Sequence, residues 1–247
     1  MKTRCYLLSA IALLLAACSS NDVIKEIKDL EFREQLISRF DANNDHQLTK
    51  DEVQLITKIV VHYDVKSVEG IEYMKNLEEY KENGGEIVSL DLSKNSKLQK
   101  IDCMNMEKLS RLKVPQNIDT IIMTRTALRE LKLEKAPFLS TLSCTEGKLE
   151  KLETQTCPCV TSLNCEKNSL TEIDLSKFPA LYKLYCGENN LTTLDLSNNP
   201  NLESVRCKGN QNLKEIICKK GQRIKGITHN PDYGWCIDKG VNVKYID

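Results

Sequence analysis

The sequence is short of aromatic residues and of histidine. Aromatic side chains make up 5% of its 247 residues, and the only histidines are His46, His62 and His229, which lie in unrelated segments. An aliphatic core is therefore expected, and a substrate pocket lined by aromatic rings is not. No nucleophile, histidine and acid stand in a catalytic arrangement, and no glycine-rich phosphate loop is present, so we predict that the chain is not an enzyme.

The chain also lacks an excess of charge of either sign. Lys and Arg total 35, Asp and Glu total 35, and the formal net charge is +0. Proteins that bind nucleic acid by neutralising its phosphates carry a basic excess, so no nucleic-acid partner is expected. The hydrophobic share of 40% excludes wholesale disorder, and the length allows a sizeable core.

No apolar run is long enough to cross a membrane as a helix. Residues 7–17 are apolar apart from Ser9, follow the basic residues Lys2 and Arg4, and end in Leu-Ala-Ala before Cys18. A basic start, a short apolar run and small residues at its end are typical of a secretory signal. The ending resembles the lipobox of bacterial lipoproteins. An ordinary signal peptide with a chance cysteine is the alternative.

The lipobox resemblance implies that residues 1–17 are a lipoprotein signal peptide and that Cys18 carries the lipid. The mature protein would then be lipid-anchored in the cell envelope. Ser19, rather than Asp, follows the cysteine, which by the sorting preference of such lipoproteins favours the outer membrane. Residues 18–22 are interpreted as a short tether.

Oxygen-bearing side chains recur at alternate positions after residue 40. Residues 41–52 have the sequence Asp-Ala-Asn-Asn-Asp-His-Gln-Leu-Thr-Lys-Asp-Glu, between helices predicted at 23–40 and 50–58. The pattern resembles an EF-hand loop, which offers Ca²⁺ six to eight oxygen ligands. The resemblance implies a calcium site. Its ligands would be the side chains of Asp41, Asn43, Asp45, Thr49 and Glu52 and the backbone carbonyl of Gln47.

His46 occupies the loop position where EF-hands have glycine. A positive φ costs a non-glycine residue ~1 kcal/mol or more, although His tolerates it better than most residues. His46 is therefore not a ligand, and a reduced calcium affinity is expected. Because EF-hands usually pair and only one loop is present, a structural ion is expected rather than a sensor. A metal-free polar linker is the alternative.

Five of the 11 cysteines follow a regular spacing. Cys144, Cys165, Cys186 and Cys207 are 21 residues apart, and Cys103 precedes them by two further units. Shifting the sequence by this period gives apolar unit starts at Leu77, Leu98, Ile118, Leu139, Val160, Leu181 and Leu202. The unit that begins at Leu181 has the form L-x-x-L-x-C-x-x-N-x-L. It resembles a leucine-rich repeat.

The repeats predict a mainly-β, right-handed leucine-rich-repeat solenoid over residues 61–222. An EF-hand-like cap at 23–60 precedes it, and a C-terminal cap at 223–247 follows it. After the first strand, most units have a second apolar pair, such as Leu90/Leu92 or Ile173/Leu175, that predicts a strand on the opposite wall. The last three units carry Asn168, Asn189 and Asn210 eight positions after their starts. The earlier units lack this asparagine and are expected to be less regular.

The repeated cysteines are predicted to be buried, because they occupy core positions and Cys packs as a small hydrophobe. One thiol per turn is poorly arranged for a disulfide or a zinc site. Two further pairs are left open as disulfides, Cys157 with Cys159 on a turn and Cys218 with Cys236. A turn around Trp235 and a closing strand at 241–246 are predicted to form the C-terminal cap.

Solvent-facing residues of the first strands are the candidates for partner binding. At the C-terminal end they are Lys183, Tyr185, Arg206 and Lys208, and Tyr and Arg are favoured interface anchors. An ordinary solvated sheet is the alternative.

The chain as a whole resembles bacterial surface lipoproteins that join one EF-hand-like segment to 21-residue leucine-rich repeats similar to those of internalins. The resemblance implies a membrane-anchored, non-catalytic binding protein with structural calcium and a protein or glycan partner. An accessory or structural envelope component is the first alternative, and an enzyme is the second.

Overall fold

The computed structural model describes residues 22–222, 227–228 and 235–247. The predicted signal peptide, lipidation at Cys18, nearly all of the tether, His229 and the turn before Trp235 lie outside these residues. Within the described part, no helix is long and apolar enough to cross a membrane.

The two α-helices come first in the described chain, and most of the regular elements that follow are strands. The helices are α1 (Leu30–Phe40) and α2 (Lys50–Gln54), with 3₁₀ turns at Ile24–Glu26, Ile71–Tyr73 and Leu175–Lys177. In chain order the strands are β1 (Lys58–Val61), β2 (Glu79–Asn83), β3 (Ser89–Asp91), β4 (Lys100–Met104), β5 (Arg111–Lys113), β6 (Thr120–Thr124), β7 (Glu130–Leu133), β8 (Thr141–Thr145), β9 (Lys151–Thr154), β10 (Ser162–Asn164), β11 (Lys183–Tyr185), β12 (Thr193–Asp195), β13 (Ser204–Arg206), β14 (Glu215–Lys219), β15 (Ile227–Thr228), β16 (Trp235–Cys236) and β17 (Asn242–Ile246).

Ten strands form one parallel sheet, the main sheet, in the order β1-β2-β4-β6-β8-β10-β11-β13-β16-β15. Residues one repeat apart stand side by side, so Leu163 lies between Leu142 and Leu184. The chain is a mainly-β parallel solenoid of about 8 turns, and the predicted fold class is confirmed.

A second wall of short strands faces the main sheet across the core. It consists of the parallel sets β3-β5, β7-β9 and β12-β14-β17. Most of the predicted second apolar pairs lie on these strands. Ile173 and Leu175 do not, because Asp174 caps a 3₁₀ turn there by accepting a hydrogen bond from the Ser176 N–H at 3.1 Å. The second wall is interrupted at that turn.

The core is aliphatic and continuous between the two walls. Every predicted unit start is at most 2% exposed. Side chains alternate along each main-sheet strand, so residues three and five positions after the unit start point inward. Burying each such side chain contributes about 1.5–3 kcal/mol, which a single unit cannot achieve without its neighbours.

The cysteine prediction is confirmed for the repeat positions. The thiols of Cys103, Cys144, Cys165, Cys186 and Cys207 are free and buried. Burial raises the pKa of Cys144 to about 12, so this thiol stays protonated at neutral pH.

The four remaining described cysteines are also free thiols. Cys157 is buried and Cys159 is exposed. Cys218 lies on β14 of the second wall, whereas Cys236 lies on β16 of the main sheet. Neither pair that the sequence left open is bonded in this structure.

The helical boundaries predicted for the N-terminal segment are wrong. The predicted helix 23–40 is broken before Leu30, because the Asp29 carboxylate caps α1 by accepting from the Phe32 N–H at 2.9 Å. The second helix ends at Gln54 instead of residue 58. The β-branched run that follows forms β1, because such side chains favour strands.

Strand β1 is an extra turn of the solenoid that sequence reasoning missed. Ile56, Ile59 and Val61 stand 21 residues before Leu77, Tyr80 and Glu82, and β1 pairs with β2 in that register. The repeat pattern therefore begins inside the segment assigned to the EF-hand-like unit.

Helix α1 covers the free edge of β1. The Gln35 side chain, 4% exposed, donates to the Val60 carbonyl at 2.7 Å and accepts from the His62 N–H at 3.0 Å. Arg39 also donates to the Val60 carbonyl, at 3.1 Å. A side-chain amide thus occupies the place that the next strand's peptide group would take.

The three predicted asparagines bind the backbone of two turns at once. Asn189 donates to the carbonyls of Cys165 at 2.9 Å and Cys186 at 3.2 Å, and it accepts from the Leu170 N–H at 2.9 Å. Asn168 and Asn210 make the equivalent bonds one turn before and one turn after.

The expectation that the earlier turns are less regular is wrong. Strands β2, β4, β6 and β8 each have five residues, whereas β10, β11 and β13 have three. Where the turn's own eighth position lacks asparagine, strand pairing continues for two more residues.

A row of left-handed residues follows the main sheet, seven positions after each unit start. The φ angles are 53–57° at the five non-glycine members and 69° and 86° at the glycines. The row is Gly84, Asn105, Arg125, Glu146, Lys167, Glu188 and Gly209. A side chain in this conformation costs about 1–2 kcal/mol, so the tight turn is strained in five units.

Candidate functional site

The solvent-facing side of β1, β2, β4, β6, β8, β10, β11 and β13 is here named the outer face. Its residues lie two, four and six positions after each unit start. The middle strands, β6, β8 and β10, present small polar groups, including Thr120, Thr141 and Ser162 in one row. Thr124 and Thr145 form a second row, with their hydroxyl oxygens 3.5 Å apart.

The four predicted partner-binding residues come together at the C-terminal end of the outer face. Lys183 and Tyr185 lie on β11, Arg206 lies on β13, and Lys208 follows it. Tyr185 and Arg206 are register partners, and the Arg206 guanidinium carbon is 4.6 Å from the centre of the Tyr185 ring. We name these four residues the C-terminal cluster.

The cations of the C-terminal cluster have no ion pair among the described residues. Glu166 is the nearest acid on the outer face. Burial raises the pKa of Glu166, and the Arg206 charge opposes that shift. At the outward-facing positions of this end, three cations stand against one half-buried carboxylate, while Glu188 also raises the pKa of Glu166 and Asp238 accepts from the Gly209 N–H next to Lys208.

A second group of cations, which sequence reasoning missed, lies at the N-terminal end of the outer face. The Glu79 carboxylate is within 3.3 Å of the amines of Lys58 and Lys81 and 3.4 Å of that of Lys100. Burial works to raise the pKa of Glu79, but the three lysines outweigh it and the pKa lies below its usual value. We name the three lysines the N-terminal cluster. The available signal was that Lys58 and Lys100 each lie 21 residues from Glu79.

The predicted calcium loop is closed by its own side chains. The Asp41 carboxylate accepts from the N–H groups of Asp45 at 3.3 Å and His46 at 2.8 Å. Asn43 accepts from the Asp45 N–H at 3.0 Å, and Asp45 accepts from the Gln47 N–H at 2.9 Å. His46 is exposed with φ 60°, so it adopts the conformation for which the loop pattern has glycine.

The end of the loop folds back onto its start. One Glu52 oxygen accepts from the Ala42 N–H at 3.1 Å, and the other accepts from the Thr49 N–H at 2.9 Å and its hydroxyl at 2.8 Å. Glu52 and Thr49 thereby form a capping box for α2. In the described part of the chain, no three His, Cys, Asp or Glu side chains are grouped to hold a metal ion without other ligands.

The apolar position of the loop pairs with the chain that precedes α1. Leu48 is fully buried, and its carbonyl accepts from the Val23 N–H at 2.9 Å. Asp22 and Thr49 form an antiparallel bridge beside it. Leu48 is the one buried residue among residues 41–51, and Glu52, which ends the loop, is also buried.

A buried carboxyl group, also missed by sequence reasoning, lies in the second turn of the core. Glu82 is 1% exposed and occupies the position where later turns have Cys or Met. One of its oxygens accepts from the Tyr80 hydroxyl at 2.6 Å, and the other has no hydrogen-bond partner. Burial raises the pKa of Glu82 to about 7.

A groove of about 840 Å³ lies where the second wall is interrupted, between β9 and β12. It is lined by lysines and carboxylates that largely pair with each other. These pairs are Lys132 with Glu134, Lys151 with Glu153 and Lys177 with Asp174. Because its charges are already paired, the groove is a weaker candidate for binding than the C-terminal cluster.

Solved structures resemble the chain over nearly its whole length. The leucine-rich-repeat domain of APL1B has a TM-score of 0.61 and 13% identity, with 99% of this chain and 77% of that chain covered. Internalin C2 from Listeria monocytogenes has a TM-score of 0.51 and 16% identity, with 92% and 97% covered. No protein-family model and no curated protein matches the sequence. The chain therefore has the fold of leucine-rich-repeat solenoids.

Proposed function

We propose that the chain is a non-catalytic repeat protein that binds a protein partner through the outer face of its main sheet. The observation that carries this proposal is the Tyr185–Arg206 pair, stacked at 4.6 Å between two lysines that have no ion pair within the part of the chain that the structure describes. Tyr and Arg dominate interface hot spots because they give large contact areas and directed hydrogen bonds. Stacking holds both side chains in place before binding, which lowers the entropic cost of association.

A protein is favoured over a glycan because the outer face presents a single aromatic residue. Sugar rings are commonly held by stacking on several aromatic side chains, and Tyr185 is the only aromatic side chain at the outward-facing positions of these strands. Hydroxyl and amide groups, as on Thr141, Ser143 and Asn164, suit the polar parts of a protein interface. A glycan is the alternative partner.

The binding proposal is tested by capture of partners from a cell-envelope extract with Tyr185→Ala/Arg206→Glu. A matched control is Tyr245→Ala/Arg129→Glu, which changes the same residue types away from the outer face. We expect a partner captured by the wild type and the control to be lost by the site variant. Equal capture by all three proteins would support a structural envelope component instead.

Lipidation of Cys18 would hold the solenoid at a membrane surface, and we propose the outer membrane. The support is the sequence alone: a basic start, an apolar run and Leu-Ala-Ala before the cysteine. Metabolic labelling with an alkyne fatty acid in a Gram-negative host tests it. Wild type should be labelled and recovered with outer membranes, and Cys18→Ser should not. Labelling that survives this substitution would contradict the proposal.

The loop at residues 41–52 would bind one structural calcium ion. Asp41, Asn43, Asp45, Thr49 and Glu52 carry hard oxygen donors and are joined by hydrogen bonds within one loop, and His46 already has a positive φ, which supports the proposal. Calcium would supply the positive charge that offsets the three carboxylates proposed as ligands, and it would stabilise the N-terminal cap.

Calorimetric titration with Ca²⁺ and thermal melts with a chelator test the calcium proposal. We expect chelation to lower Tm, and Asp41→Asn/Glu52→Gln to abolish binding. Asp51→Asn is the matched control, because Asp51 is exposed and is not a proposed ligand. His46→Gly should raise Tm by removing ~1 kcal/mol of strain, and it should change the calcium affinity little, because His46 already has φ 60° without the ion. An unchanged Tm together with no heat of binding would refute the proposal.

A further inference from the structure

The outer face is positively charged although the chain is neutral. Only three acids, Glu79, Asp102 and Glu166, lie on this face. They are outnumbered by six cations: Lys58, Lys81, Lys100, Lys183, Arg206 and Lys208. Because the formal net charge of the chain is +0, the other surfaces carry the compensating negative charge. Such an asymmetry attracts ligands of opposite charge to one face.

The cations stand at the two ends of the face and a neutral strip separates them. Lys100 and Lys183 occupy the same register position, with Thr120, Thr141 and Ser162 between them. Four strand spacings of ~4.8 Å put their backbones about 19 Å apart.

The two clusters differ in how far their charge is already neutralised. All three lysines of the N-terminal cluster share Glu79. Among the described residues, the cations of the C-terminal cluster pair with no acid. An incoming carboxylate would therefore gain most at the C-terminal cluster and a smaller amount at the N-terminal one.

We propose that the partner presents an extended acidic polypeptide segment that crosses the strands of the outer face and joins the two clusters. This inference rests on the proposed function and specifies the chemistry of the partner. An extended chain advances about 3.3 Å per residue, so six residues span about 20 Å. Residues i and i+6 of such a chain point to the same side, which lets one carboxylate reach each cluster. Small polar side chains between them would face the Thr and Ser strip.

The geometry favours a peptide over an acidic polysaccharide. Tyr185 is the lone aromatic residue at the outward-facing positions of these strands, whereas the strip between the clusters offers hydroxyls that can donate to backbone carbonyls. An extended peptide exposes one carbonyl per residue along its whole length.

Immobilised poly-L-glutamate is the first probe, used at about 20 mM and about 300 mM salt because exposed ion pairs are screened at the higher value. We expect the full chain to bind at low salt. Lys183→Ala/Arg206→Ala/Lys208→Ala should weaken binding at least tenfold, and Lys81→Ala/Lys100→Ala should weaken it several-fold. The matched control is Lys132→Ala/Lys135→Ala/Lys151→Ala on the second wall, which should bind like the wild type.

Synthetic peptides of alternating Gly and Ser with two Glu residues probe the spacing. Each is added as a competitor against poly-L-glutamate, with the two acids two, six or ten positions apart. The six-residue spacing should compete best. A loss of poly-L-glutamate binding in the control variant as large as that in the cluster variants, or no preference among the peptide spacings, would overturn the proposal. Dextran sulfate that competes better than poly-L-glutamate would assign the face to an acidic glycan and would also overturn it.

Failure of this inference and failure of the proposed function are distinguishable. If the captured partner is lost with Tyr185→Ala/Arg206→Glu while poly-L-glutamate does not bind, the face binds a protein but not through an acidic segment. If poly-L-glutamate binds through the C-terminal cluster while no partner depends on Tyr185 and Arg206, the proposed function fails.

Discussion

The first turns and the last turns of the solenoid have the same repeat length but are held together differently. In the turns of β2, β4, β6 and β8, five residues pair along the main sheet, and the eighth position holds Gly85, Met106, Thr126 or Gly147. In the turns of β10, β11 and β13, three residues pair and an asparagine amide binds the carbonyls that follow. One 21-residue geometry can thus be maintained by backbone pairing or by a single buried side chain.

The difference indicates which groups stabilise the first set of turns and which stabilise the last set. Backbone pairing distributes the stabilising free energy over many peptide groups, whereas an asparagine that serves several backbone groups concentrates it in one residue. The core beneath is shared, because Leu142, Leu163 and Leu184 stack in one row across the boundary. Substitutions in the core should therefore affect both halves alike, and substitutions at the eighth position should not.

The largest effect is expected in the shared core. Leu184 is fully buried, so Leu184→Ala should lower the free energy of unfolding by ~2–5 kcal/mol through lost burial and the cavity left behind. Leu142→Ala, in the first set of turns, should cost a similar amount. Urea denaturation followed by circular dichroism measures both. A loss that occurs in only one of the two variants would mean that the halves unfold independently.

Glu82, in the first set of turns, should make the free energy of unfolding depend on pH by about 3 kcal/mol. Its folded pKa of about 7 lies above the usual 4.5, so its contribution to stability is complete below pH 4.5 and is lost as the pH rises through 7. Glu82→Gln removes the ionisation and should be more stable than the wild type at pH 8, but similar to it at pH 5. Unfolding free energies at both pH values provide the test. Equal pH slopes for the two proteins would contradict a buried, protonated carboxyl.

A smaller loss, about 2 kcal/mol, is expected for Asn189→Ala, because backbone groups of two buried turns lose their partner. Thr126→Ala is the matched change at the same position of an earlier turn. It should cost less than about 1 kcal/mol, since backbone pairing serves that turn. Hydrogen exchange at Leu170, whose N–H is bound by Asn189, should accelerate only in the first variant. Equal losses of unfolding free energy in the two variants would show that the two sets of turns are not held together differently.

The smallest effect, a gain of about 0.5 kcal/mol, is expected for Glu188→Gly. Glu188 has φ 53° in the left-handed row, where Gly84 and Gly209 occupy the ends without strain. Relief of about 1 kcal/mol of strain is partly offset by the greater freedom of glycine in the unfolded chain. Thermal melts compare it with Glu172→Gly, at an exposed residue outside the row. A destabilised Glu188→Gly would show that its side chain makes a contribution larger than the strain.

Repetition made the fold predictable from sequence. A period of 21 residues places Leu77, Leu98 and their equivalents on one line, and burial follows from that placement. The same period extends to Ile56, Ile59 and Val61, but a helix expected after the calcium loop obscured it. The side-chain oxygens of the loop were identified by pattern, and their hydrogen-bond partners were not.

Features that depend on contacts between distant residues were not predictable from spacing alone. Gln35 meets Val60 and His62 only after α1 packs on the solenoid, so nothing in its own sequence neighbourhood indicates that role. The four residues of the C-terminal cluster were found because they occupy outward-facing positions of the repeat. Stacking of Arg206 on Tyr185 is a side-chain geometry that the pattern permits but does not specify.

The amide of Gln35 also determines whether a strand of another molecule can pair with the main sheet at β1. An open parallel edge presents peptide groups to any other strand, and a stack of such molecules would grow into a fibre. With Gln35 and Arg39 bound to Val60, and Gln35 bound to His62, those edge groups are not available to a second molecule. One glutamine thus protects the β1 edge against self-assembly, and its loss would be measured as aggregation before it was measured as unfolding.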